Sequence, residues 1–65
     1  MRDTMLNSMV AYMEGKREKH KANVEIYLSN PAGIGEHPDV MEALESEMKQ
    51  IAECNDILEV IGDLL

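Results

Sequence analysis

The chain has 65 residues, 45% of them hydrophobic, with 13 acidic against 6 basic side chains and a formal net charge of −7. That length holds one small domain and no second, and the apolar content is too high for a disordered tail. Phosphate neutralisation needs clustered positive charge, so a chain this acidic is a poor general ligand for nucleic acid or for anionic membranes.

Tyr12 and Tyr27 are the only aromatic residues, so any core is aliphatic and Met-rich. Cys54 is the single cysteine. It cannot form an internal disulfide, and a reducing cytoplasm is the expected compartment. The N-terminal stretch lacks the charged, apolar, small-residue order of a secretory signal. Asp56, Glu59 and Asp63 break the apolar C-terminal stretch, and no run approaches the roughly 18 apolar residues of a membrane span. A cytoplasmic chain without a membrane partner is expected.

In chain order, the first element is a helix over about 3–28. Leu6, Met9, Val10, Met13, Val24, Tyr27 and Leu28 recur at steps of three and four, the spacing of one helix face. The stripe weakens between Gly15 and Lys21, where Arg17 and His20 occupy positions the period assigns to apolar residues. Their stems can cover a core while their polar ends reach outward. Gly15 costs about 1 kcal/mol against Ala inside a helix, which marks a kink or a close approach.

A loop over about 29–37 follows. Pro31 disfavours helical geometry at Asn30, and Gly33 and Gly35 permit positive φ. Ile34, between the two glycines, is expected to fold back over the helix ends. The second helix is expected over about 38–63, with Pro38 in its first turn and Asp39 and Glu42 near the positive end of its dipole. Met41, Leu44, Met48, Ile51, Leu58, Ile61 and Leu65 form its stripe, Ala52, Cys54 and Ile57 widen it, and Asn55 interrupts it. Glu45 and Lys49 are placed for an i,i+4 ion pair.

Two helices joined by so short a loop lie antiparallel. With Leu28 set near Val40, Tyr27 meets Met41, Val24 meets Leu44 and His20 meets Met48. Further along, Arg17 meets Ile51, Met13 meets Asn55 and Val10 meets Leu58. The basic run Lys16 to Lys21 then lies beside the acidic stretch Glu42 to Glu53. Each helix, at about 26 residues, is about 39 Å long. One pair of such rods buries a narrow seam, and domains this small usually need a further source of stability. The expected fold is an all-α antiparallel helical hairpin, one domain over 1–65, that dimerises into a four-helix bundle. Met9, Met13, Met48, Ile51 and Leu58 are the expected oligomer interface.

Chemistry-bearing motifs are few. His37-Pro38-Asp39 spells the tripeptide of Hsp40-type J-domains, but it follows a Pro/Gly loop and opens the next helix, so it reads as a helix start. The Lys16–Lys21 run is interrupted by Glu18 and has no aromatic neighbour, unlike a nucleic-acid patch. His20, His37 and Cys54 match no zinc spacing and do not converge in a hairpin. No catalytic residue, metal ligand or cofactor is therefore expected. Cys54 reads as a small buried apolar residue. Glu42, Glu45, Glu47 and Glu53 form an acidic face that could hold a basic protein.

The segment from Asn23 through Tyr27-Leu28-Ser29-Asn30-Pro31-Ala32-Gly33-Ile34-Gly35-Glu36-His37-Pro38-Asp39 to Ala43 resembles one in small, uncharacterised proteins of contractile-tailed bacteriophages, including those of marine cyanobacteria. It covers about a third of the chain. The resemblance implies a phage-encoded accessory protein in the host cytoplasm and carries no activity, cofactor or catalytic residue. The expected function is a non-enzymatic interaction or structural module. The alternative is an acidic modulator that binds a basic host or phage protein, or occupies a nucleic-acid site by charge mimicry.

Overall fold

Seven-residue spacing organises the helix contact. In the computed structural model, residues 1–29 and 39–65 are described. The chain forms two α-helices, α1 over Arg2–Leu28 and α2 over Val40–Leu64, packed antiparallel as a hairpin. A hydrogen bond of 2.5 Å from His20 Nδ1 to Glu47 Oε2 sets the level. Heptad steps along α1 run through Leu6, Met13, His20 and Tyr27. Matching steps along α2 run through Val40, Glu47, Cys54 and Ile61. Every member of the two lines is buried or half-buried. Met13 is thereby level with Cys54, Leu6 with Ile61, and Tyr27 with Val40. A sustained 3.5-residue repeat of this kind keeps one narrow seam facing the partner helix.

This seam is offset from the expected one. Met41 and Met48, expected opposite Tyr27 and His20, are 73% and 51% exposed. Val40 and Glu47 take their places. One residue of offset turns a helix by about 100°, enough to swap a core line for a surface line. Arg17 Nη1 also reaches Asn55 Oδ1 at 3.1 Å, rather than Ile51, because its long side chain spans a further turn along α2. Val24, Val10, Leu44, Ile51 and Leu58 remain half-buried beside the seam.

The core is thin. Among the described residues the buried apolar side chains are Met13, Cys54 and Ile61. The molecule is correspondingly rod-like, 49 × 14 × 12 Å. Asp39 occupies the N-cap of α2, so the helix begins after the expected Pro38. Ser29 closes α1, its N–H bonded to the Glu25 carbonyl at 3.0 Å. Neither helix has a basic residue in its last turn, where the dipole favours one. At the open end Arg2 Nη2 donates to the Leu64 carbonyl at 2.5 Å, supplying a cation to the C-terminal turn of α2 from the other helix.

Gly15 sits in uninterrupted helix, and a Cβ built on it meets nothing within 4 Å, so it marks neither a close approach nor a break. The expectations of a positive φ at Gly33 or Gly35 and of a buried Ile34 lie outside the described residues, as do residues 30–38 of the segment that carries the phage resemblance.

Candidate functional site: a polar seam and an exposed apolar stripe

The polar centre of the seam is built by three side chains. His20 is 9% exposed as a residue, and the Glu47 side chain is 19% exposed. An ionised carboxylate only accepts, so His20 Nδ1 carries the donated proton. Asn23 Nδ2 donates to both carboxylate oxygens of Glu47 at 3.2 Å. The His20 hydrogen bond lowers the Glu47 carboxyl below its ordinary value. Burial acts in the opposite direction, and the Asn23 hydrogen bond and the positive charges of His20 and Lys19 reinforce the lowering. Hydrogen bonds to the charged form favour that form. His20 Nε2 and Arg17 Nε are buried and make no hydrogen bond.

His20 Nε2 is enclosed, and Cys54 is 1% exposed, one heptad or about 10 Å further along α2. Among the described residues no three His, Cys, Asp or Glu side chains group to hold a metal ion. His20, Asn23 and Glu47 instead tie the two helices at one level, and Arg17 with Asn55 adds a contact about two turns further along α2. Sequence reasoning put Asn55 in the seam, where Cys54 stands and Asn55 is exposed, put Arg17 and His20 at its edge, where His20 is in fact buried, and missed the part played by Glu47. The available signal was a lone carboxylate in the heptad line of α2 at the level of the lone histidine of α1.

The expected acidic face is therefore smaller by one residue. Glu42, Glu45 and Glu53 are exposed, whereas Glu47 points into the seam. The expected cross-helix pairing of the basic run also differs. Arg17 pairs with Glu14 at 4.0 Å and Glu18 at 3.6 Å, and Lys21 with Glu18 at 3.7 Å, all on α1. His20–Glu47, an ion pair when His20 is protonated, is the one such contact across the helices among the described residues. Lysine ammonium groups are strongly hydrated, and an exposed cross-helix pair offers too little to order two long side chains.

The expected interface residues divide in two. Met13 is buried within the hairpin, with Ile51 and Leu58 half-buried, while Met9 and Met48 are exposed. On the outside of α2, Met41, Leu44, Met48 and Ala52 line an open groove of about 430 Å³, with Glu45 and Lys49 on its rim. Spaced at three and four residues, the four form one stripe beside the seam. Among the described residues no helix is long and apolar enough to cross a membrane. No protein-family model, curated protein or solved structure matches the chain.

Proposed function

We propose that the chain is a non-enzymatic interaction module that works as a homo-oligomeric helical bundle, made by a phage in its host's cytoplasm as the loop resemblance implies. One observation carries the oligomeric part. Among the described residues eleven large apolar side chains are exposed, from Met1 and, on α1, Met5, Met9 and Tyr12 to Met41, Met48, Val60 and Leu64 on α2, against three apolar side chains that are buried. Burial of apolar surface is worth about 25 cal/mol per Å², and a thin seam leaves most of that gain unrealised in one hairpin. Association of hairpins realises it, with the His20–Glu47 and Arg17–Asn55 contacts holding each hairpin in one register.

Sedimentation equilibrium at micromolar concentration tests the proposal. The expected result is a mass that is a multiple of 7.3 kDa and a melting temperature that rises with protein concentration. A 7.3 kDa species with a concentration-independent melt refutes it.

A second proposal rests on the exposed carboxylates. Glu42, Glu45 and Glu53 make no ion pair among the described residues, and the chain carries −7 overall. They fit a basic protein partner whose affinity falls as salt screens the charges over about 8 Å at physiological ionic strength. Capture of a nucleic-acid enzyme that is lost on raising salt supports this proposal, and salt-insensitive capture counts against it.

A further inference from the structure

We propose that the stripe of Met41, Leu44, Met48 and Ala52 is where a second copy of this chain docks, α2 against α2 in antiparallel, with Glu45 of each copy facing Lys49 of the other. The proposal rests on the homo-oligomeric reading and assigns it a surface and a geometry. A two-fold interface must be self-complementary: if one residue meets another, the second must meet the first. The stripe has that property. About a midpoint near residues 46 and 47, Met41 is matched by Ala52, Leu44 by Met48, and Glu45 by Lys49. Two long thioether side chains are thus set against smaller or branched partners, an arrangement in which flexible Met fills the gaps.

Charge selects a second copy as the occupant. A chain of net charge −7 repels its own copies over most of its surface. Lys49 is the one basic residue in Val40–Leu64, and it stands on the rim of this groove. Although Glu45 precedes it by four residues, the two make no ion pair, and neither pairs elsewhere among the described residues. Both are exposed. Four residues apart, they lie on the same flank of the stripe. When antiparallel helices meet face to face, equal flanks come together, so each lysine falls beside the partner copy's glutamate and the pair occurs twice.

Charge reversal tests this. The probe is the full chain in sedimentation equilibrium, with far-UV circular dichroism confirming helicity. Lys49→Glu and Glu45→Lys each turn two attractive contacts into two repulsive ones, so each is expected to weaken self-association by about tenfold or more. The double variant E45K/K49E restores the pairing with both signs exchanged and is expected to return within about twofold of the parent. Its composition equals the parent's, so general effects of net charge cancel. A dimer whose affinity is unchanged by both single reversals overturns this surface while leaving the homo-oligomeric reading intact. Weakening by the single reversals without recovery in the double variant also overturns the pairing. A parent chain that stays monomeric at every concentration overturns both.

Discussion

Replacing Glu47 by Ala removes the acceptor that holds the centre of the hairpin together. The His20 Nδ1 bond is 2.5 Å, and Asn23 adds two bonds of 3.2 Å to the same carboxylate. A hydrogen bond to a charged group contributes about 1.5–3 kcal/mol, and leaving a buried donor without a partner costs a similar amount. His20 is nine-tenths buried, so water replaces little of what is lost, whereas half-buried Asn23 recovers part from solvent. The expected cost is about 2–3 kcal/mol. With a urea dependence near 1 kcal/mol per M for a chain this small, the midpoint falls by about 2–3 M. The double variant His20→Leu/Glu47→Leu removes both partners together, and is expected to lie within about 1 kcal/mol of the parent or above it. Urea titrations followed by far-UV circular dichroism, at one fixed protein concentration so that linked association does not move the midpoint, measure both. An E47A midpoint within about 0.3 M of the parent, or a double variant as unstable as E47A, refutes a structural role for the cluster.

The same comparison has a pH dependence of defined sign. The Glu47 carboxyl is held below its ordinary value of 4.5 in the folded chain. Its contribution is therefore complete above that value. It is lost as pH falls below 4.5, where the unfolded chain takes up the proton first, so the gap between parent and E47A is expected to close on acidification through that range.

Gly15→Ala is expected to raise stability by about 0.5–1 kcal/mol, because the added methyl group meets nothing within 4 Å; a urea midpoint that falls instead shows that Gly15 is needed for something the hairpin alone does not contain. Cys54 is 1% exposed and is expected to react with an aromatic disulfide reagent only once urea unfolds the chain; prompt reaction under native conditions refutes the seam as described. Ile61→Ala is expected to cost about 2–3 kcal/mol, the lower part of the range for buried Ile, since the site lies near the open end of a thin core; thermal melts at matched concentration check it.

The hairpin is legible in the three-and-four spacing of both segments, and the break between them in Pro31, Gly33 and Gly35. The side of α2 that faces inward is not legible from apolarity alone. Met41 and Met48 outrank Val40 and Glu47 on any hydrophobic measure, yet the seam takes the second pair. A carboxylate becomes admissible there because His20 and Asn23 stand at its level, a fact about two helices at once. The lysines mislead for the opposite reason. Opposite charges on adjacent helices look like pairs, but exposed ammonium groups stay in water or reach glutamates one turn away. Of the residues expected to form the interface and the acidic face, Met9, Met48, Glu42, Glu45 and Glu53 are exposed and Ile51 and Leu58 half-buried, while Met13 and Glu47 turn inward.

The equal spacing of the two seam lines carries a hazard for the folding search. Apolar side chains repeating every seven residues would fit almost as well if one helix slid along the other by one repeat. Here such a slide brings His20 beside Cys54 or Val40, and Glu47 beside Met13 or Tyr27. Two polar groups then lose water without gaining each other, and each unpaired buried group costs about 1–3 kcal/mol. A thin apolar seam has little with which to offset that. The His20–Glu47 contact therefore acts as proofreading: it adds modestly to the correct alignment and penalises both of its nearest competitors twice.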